Sequence, residues 1–396
     1  MRVVAPSRQR YNSEGPIFGN YSGFPAESPG WHGSRRMTDR ITRRKFLGTT
    51  AAALAASAVL PTLSTTGDDS DMNAAKLPQW RGFNLLEKFT HRDHKPFLET
   101  DLKWMKAWGF DFVRLPLSYW CWSSPDDWRT MDEAVLGHID DVVGYGEKHG
   151  IHVNINFHRG PGYCVNPPEE PFDLWTDPVA VEACKLHWAT FAKRYKGIPN
   201  ERVSFDLLNE PAKIDEEVYV HVVEELVGAI RNEDPDRLII ADGLSWGRDP
   251  VHGLVGLGVG QSTRGYDPMH ISHYRANWIN GSDTWDVPTW PLVVDGSTYN
   301  RARLYRERIE PWKKLEAEGV GVHVGEWGAY QHTPHDVALA WMKDCLELWE
   351  EAGWGWSLWN FRGSFGILDS GREDVDYEEF EGHKLDRAML ELVQRY

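Results

Sequence analysis

From residue 80 to the end of the chain, short apolar and β-branched runs alternate with longer amphipathic segments. A run of four to eight such residues reads as a buried strand. Apolar positions recurring every three or four residues read as a helix with one face on a core. The runs fall at 80–84, 111–115, 151–157, 202–208, 237–241, 269–273, 320–325 and 355–359. The amphipathic segments fall at 96–108, 132–149, 178–195, 215–232, 298–318, 334–352 and 382–395, with only a short helical piece after the fifth run. Gly109, Gly150, Gly319 and Gly353 each end a segment just before the next strand, where a left-handed residue closes a helix. Eight such units in one stretch predict an α/β fold, a single (β/α)8 TIM barrel over residues 76–396. A doubly wound open sheet is the structural alternative, but no Gly-x-Gly-x-x-Gly follows the first strand.

A barrel carries its chemistry at the C-terminal ends of its strands. Those ends hold Asn84, Arg114, His158, Asn209 with Glu210, Asp242, His273, Glu326 and Trp359. Two of the eight carry a glutamate, in Asn209-Glu210-Pro211 on the fourth strand and Gly325-Glu326-Trp327 on the seventh. Two carboxylates facing one cleft are what glycosidic bond hydrolysis requires, one protonated to serve the leaving oxygen and one ionised to attack the anomeric carbon. Arg114 and His158 are donors placed to hold one of them as an anion.

These pieces, taken in order, resemble the family 5 glycoside hydrolases, the cellulase-like retaining enzymes built on a 4/7 barrel. The matching stretches are Arg81-Gly82-Phe83-Asn84, Val113-Arg114-Leu115-Pro116, Asn156-Phe157-His158, Leu208-Asn209-Glu210-Pro211, Ser272-His273-Tyr274, Gly325-Glu326-Trp327-Gly328 and Ser357-Leu358-Trp359-Asn360. The resemblance implies Glu210 as acid/base and Glu326 as nucleophile, with carboxylates ~5–5.5 Å apart. It implies Asn209 on the sugar 2-OH and Arg114 orienting Glu326. His158 and His273 would line the subsite, and Trp359 would stack beneath its sugar. The family pattern His-x-Tyr, whose tyrosine touches the nucleophile, has no match at His273. The residue two positions on is Arg275, so the adjacent Tyr274 is the candidate, with Arg275 or a loop residue as the alternative.

The resemblance implies an O-glycoside hydrolase needing no cofactor and no metal, acting as a monomer on a β-linked glycan. An endo-β-1,4-glucanase is the first expectation, and a β-mannanase or an exo-acting β-glucosidase the alternative. The other function classes are a silent sugar-binding barrel and a metal-dependent hydrolase. Both glutamates are present, against the first. His91-Arg92-Asp93-His94, in the loop after the first strand, lacks a further set to complete a metal site, against the second. Glu87 and Lys88 in the same loop are candidates for touching sugar hydroxyls. A net charge of −16 argues against a nucleic-acid partner. The four cysteines are too few for a disulfide framework, and pairing of Cys121 with Cys164 stays open.

Tryptophan is the compositional outlier, at 20 residues against 14 tyrosines and 15 phenylalanines. Those on helices and at the start of strands have a packing explanation. Ten others, among them Trp122, Trp327 and Trp359, fall at strand ends or in the loops after them, where a flat ring with one donor suits a pyranose face.

The chain opens differently. Residues 1–36 are rich in Gly, Pro, Ser and Arg and read as disordered or as upstream sequence. Residues 37–75 read as an export signal and linker. Arg43-Arg44-Lys45-Phe46-Leu47 precedes an uncharged stretch to Thr66 that is rich in Ala, Leu, Ser and Thr, which resembles a twin-arginine signal. The expectation is an exported, periplasmic or extracellular protein with no stable membrane partner once the signal is removed.

Overall fold

The strands form where the runs of Val, Ile, Phe and Leu put alternate side chains outward against helices. In the computed structural model, which describes residues 72–396, eight of them close a parallel barrel. They are β1 (Arg81–Asn84), β2 (Phe112–Ser118), β3 (His152–Gly160), β4 (Val203–Asp206), β5 (Ile239–Asp242), β6 (Gly260–Gly265), β7 (Val322–Trp327) and β8 (Gly355–Leu358). Each pairs in parallel with its sequence neighbours, β1 pairs with β8, and no barrel edge is left open. The fold is thus the (β/α)8 barrel that the alternation implies. The leader and the arginine pair lie outside the described residues.

The helices outside the barrel include α1 (Glu99–Ala107), α2 (Glu133–His149), α3 (Pro178–Tyr195), α4 (Glu216–Glu233), α5 (Glu310–Glu316), α6 (His335–Ala352) and α7 (Arg387–Arg395). Asp132 and Asp177 cap α2 and α3 by accepting backbone N–H bonds, and Gly150 and Gly353 end α2 and α6 in the left-handed conformation. Along α2, Val135, Leu136, Ile139, Val142, Val143 and Gly146 form the buried stripe. On α3, Trp188 stacks on Phe157 of β3 with ring centroids 3.9 Å apart.

The sixth strand is not at 269–273. It is β6, and Met269–Ser272 is a single helical turn beyond it. The interior of β6 is Gln261-Ser262-Thr263-Arg264, which has no hydrophobic alternation to read. The reason lies in the fifth unit, where a turn at Leu244–Gly247 and irregular chain stand in place of a full helix. Irregular backbone needs hydrogen-bond partners. Gln261 supplies both a donor and an acceptor to Val251 (2.8 and 2.9 Å), and Thr263 donates to the Gly247 carbonyl at 3.1 Å.

The lower barrel is filled by aromatic rings. Trp80 and Phe112 stack on His152 at 3.9 and 5.5 Å, and Phe112 meets His323 at 4.7 Å. Leu77 packs beneath Trp80 with Leu238 and Ile240. Burial pushes both imidazoles down to about 3. Neither nitrogen of His323 bonds another protein group. Because the folded pKa values lie below the unfolded ~6.5, the unfolded chain binds more protons as the pH falls below that value. Stability is then lost at ~1.4 kcal/mol per pH unit for each such histidine, down to about 3. Thermal melts at pH 6.5 and 4.5 will show a steep fall, and His323→Leu, which sacrifices no hydrogen bond, will make it shallower.

Candidate active site

Above that aromatic layer, the barrel interior turns ionic. Arg114 lies on β2, Asp206 on β4, Asp242 ends β5, Arg264 lies on β6 and Glu326 on β7, while Asn209 and Glu210 follow β4. Buried charges survive only when fully paired, and here every guanidinium nitrogen is used. Arg114 donates to Glu326 Oε1 at 2.6 Å, Asp206 Oδ2 at 2.7 Å, Asn209 Oδ1 at 3.0 Å and Asn84 Oδ1 at 3.2 Å. Arg264 donates to Glu210 Oε1 at 3.0 Å, Asn209 Oδ1 at 2.9 Å, Ser262 Oγ at 2.9 Å and both oxygens of Asp242.

Local backbone irregularities aim the two glutamates. Val324 packs outward, so strict alternation would send Glu326 outward as well. A bulge between Val324 and Glu326 on β7 sets Gly325 and Glu326 together against Arg264 and turns the carboxylate inward. A side chain at Gly325 would have its Cβ 2.4 Å from Ser262 Oγ and 2.8 Å from an Arg264 nitrogen. Glu210 takes a left-handed backbone, φ +52°. That conformation costs ~1–3 kcal/mol and persists where its surroundings hold it. Its N–H donates to Asp242 Oδ2 at 2.8 Å, and its carbonyl accepts from the Tyr163 hydroxyl at 2.8 Å.

The electrostatics of the cluster act most visibly on Glu210. Burial, then the charge of Glu326, pushes Glu210 up to about 8, with Arg264 opposing the rise. Burial and the charge of Asp242 likewise raise Asp206 to about 7. His158 is held neutral, its pKa driven down by burial and by Arg114 and Arg264. Burial alone brings His273 to about 4. The cluster therefore sets a carboxyl whose proton is held more tightly, Glu210, beside a glutamate paired with arginine.

Around the pair the structure gathers most of the expected residues. His158 Nδ1 lies 3.9 Å from Glu326 Oε1, and its Nε2 is 3.4 Å from the Asn209 amide nitrogen. The half-exposed Trp359 stacks on His158 at 5.5 Å, with Phe89 edge-on to both. The hydroxyl on Glu326 comes from Tyr266, which donates to Oε2 at 3.2 Å. His273 packs beside Tyr266 at 5.0 Å. Tyr274 is buried, with its neighbour Arg275 over its ring. Lys88 is buried and donates to the Lys95 carbonyl, so it is not a sugar contact, and Glu87 is buried beside the charge of Asp101. Trp122 and Trp327 are core residues, bonded to His187 and packed on Trp349 and Trp356 respectively. All four cysteines are free, and among the described residues no three His, Cys, Asp or Glu side chains form a metal-binding group.

The model for the cellulase family, glycosyl hydrolase family 5, matches residues 68–364. The chain belongs to glycosyl hydrolase family 5. It is an O-glycoside hydrolase on a (β/α)8 barrel. It is similar to a solved glycoside hydrolase at 38% identity and a TM-score of 0.77, covering 80% of this chain and 99% of that one. Endoglucanase C of Acetivibrio thermocellus is 24% identical over 71% of this chain and 88% of its own length. The fold of endoglucanase Cel5A from Thermotoga maritima superposes with a TM-score of 0.64 at 23% identity, over 81% of this chain and 98% of that one.

Against the family 5 pattern His-x-Tyr, this chain has Arg264-Gly265-Tyr266. Arg264 in place of the histidine hides the pattern, and the only mark Tyr266 carries is the Asp267-Pro268 pair after it, which ends a strand. Removing its hydroxyl as Tyr266→Phe costs one hydrogen bond to a charged group, ~1.5–3 kcal/mol, or ~10–100-fold in kcat/KM. Steady-state kinetics on an aryl β-cellobioside, with an unchanged melting midpoint, will show this loss.

Proposed function

We infer that this chain is a retaining β-glycosidase that cuts β-1,4-linked glucan internally, with Glu210 as acid/base and Glu326 as nucleophile. The observation carrying the reading is that one buried arginine, Arg264, lies 3.0 Å from Glu210 and 3.5 Å from Glu326. The two glutamates therefore share one polar cluster, and their environments differ in the sense the mechanism needs.

In the first step Glu210 gives its proton to the glycosidic oxygen while Glu326 bonds the anomeric carbon and the leaving chain departs. In the second, Glu210 takes a proton from water, the water oxygen bonds that carbon, and the ester electron pair returns to Glu326. Arg114 and Tyr266 hold the two oxygens of Glu326 for attack. The Asn209 amide nitrogen is oriented for the sugar 2-OH, because its oxygen is occupied by both arginines. Trp359 offers the sugar an apolar face. The preference for glucan and for internal cleavage draws on the similarity to Endoglucanase C.

Incubation with carboxymethylcellulose, glucomannan, mannan and aryl β-glycosides tests the reading. The expected outcome is a rapid viscosity loss on the glucan and a first-formed β-anomer by proton NMR. An α-anomer formed first, or action on chain ends alone, would overturn it. Since Glu210 must be protonated to act, kcat/KM will fall as the pH rises through about 8. Export through the Arg43-Arg44 segment is part of the proposal. Fusing residues 37–75 to a folded reporter, with and without both arginines changed to lysine, tests it.

A further inference from the structure

Arg264 is unusually confined. Its side chain is 1% exposed, and glycines flank it on two sides. A Cβ at Gly247 would sit 2.7 Å from its Cγ, and one at Gly325 would sit 2.8 Å from its Nη1. Asp242 and Ser262 grip the guanidinium from below. It therefore cannot follow a moving partner, and its charge stays where the two glutamates meet it. The imidazoles at this site, His158 and His273, are held neutral by burial. A guanidinium stays charged however deeply it is buried.

We propose that Arg264 is the positioning residue that lets Glu210 change from acid to base: a cation anchored on Asp242 that faces both Glu210 and Glu326, and whose remaining hold passes to Glu210 once Glu326 is esterified. The assignment rests on the roles given above to the two glutamates. In the free enzyme, Glu326 carries a negative charge that draws on Arg264 and repels charge on Glu210, so the proton stays on Glu210. When Glu326 bonds the anomeric carbon, its charge is consumed in a neutral ester, and the proton of Glu210 leaves with the departing alcohol. The new Glu210 carboxylate then has the Arg264 Nε–H in place at 3.0 Å, with no competitor on the nucleophile side. In the second step, Glu210 accepts a proton from water as the oxygen bonds carbon and the ester bond breaks toward Glu326. That restores the shared arrangement.

The test separates the two steps with 2,4-dinitrophenyl β-cellobioside, whose good leaving group needs no acid. Arg264→Gln should keep kcat/KM within ~10-fold, while kcat falls ~30-fold or more and a burst of dinitrophenolate precedes slow turnover. Azide, which needs no base, should restore turnover and give the β-glycosyl azide. The acid limb of kcat should move up by about one pH unit, because the base loses its cation. Arg264→Lys, which keeps the charge, should recover part of kcat and hold the limb in place. Arg264→His, which supplies a donor without a fixed charge, carries the same reading as glutamine if that protein does not accumulate. Loss of kcat and kcat/KM together, with no burst, no azide rescue and lysine as poor as glutamine, would overturn the proposal. Full activity of Glu210→Ala, with no label on Glu326 after 2-deoxy-2-fluoro-β-cellobioside, would bring down the glutamate roles as well.

Discussion

Replacing Glu326 with alanine will lower kcat/KM on every β-glycoside by ~10⁴-fold or more, the scale seen when a covalent nucleophile is removed. No neighbour can take over. Asp206 and Asp242 lie below it with both arginines upon them, and Tyr266 is held protonated by burial and by the two glutamates. Azide entering the vacated space will restore part of the rate on an activated substrate and yield the α-glycosyl azide, because one displacement replaces two. Breaking a buried ion pair usually costs 3–5 kcal/mol through the charge left alone. That cost is avoided here. Arg114 keeps Asp206 and Arg264 keeps Asp242, so the melting midpoint of Glu326→Ala will stay within a few degrees of wild type.

Replacing Glu210 with alanine will give a different pattern. On cello-oligosaccharides, whose leaving groups need a proton, the rate will drop ~10²–10⁴-fold, the contribution typical of a positioned acid. On 2,4-dinitrophenyl β-cellobioside kcat/KM will nearly hold, while kcat drops because hydrolysis of the glycosyl-enzyme lacks its base. The basic limb near pH 8 will vanish, since the group that burial and Glu326 push up to about 8 is gone. Azide will accelerate turnover and give the β-glycosyl azide, the stereochemical opposite of the Glu326→Ala product. Persistence of that limb in Glu210→Ala would assign it to another group, with Asp206, raised to about 7, the next to examine.

The barrel was legible in the chain because seven of its strands carry apolar residues toward the helices, leaving a repeating signal. The eighth, β6, leaves no such signal because its residues hydrogen-bond an irregular segment instead of packing on a helix, and Gln261 and Thr263 look like loop. Arg264 and Tyr266 belong to that same silent stretch. The two glutamates stood out because a carboxylate after an apolar run is conspicuous, and the structure sets both against Arg264. The bulge at Gly325 that turns Glu326 inward leaves no mark in a hydrophobicity pattern. The tryptophans misled in two places. A strand-end position says nothing about direction, and Trp122 and Trp327 point into the shell between barrel and helices. Lys88 misled similarly, since its loop folds back so that the ammonium meets the Lys95 carbonyl.

Retention by the two steps proposed here requires that Glu326 form a covalent bond to the sugar. Incubation of the wild-type enzyme with 2,4-dinitrophenyl 2-deoxy-2-fluoro-β-cellobioside, followed by proteolysis and mass spectrometry, tests it most directly. Stoichiometric inactivation and a fluorocellobiosyl group on the peptide containing Glu326 are the expected result. A label on any other residue, or an enzyme that turns over its natural substrate with no adduct formed, would contradict it.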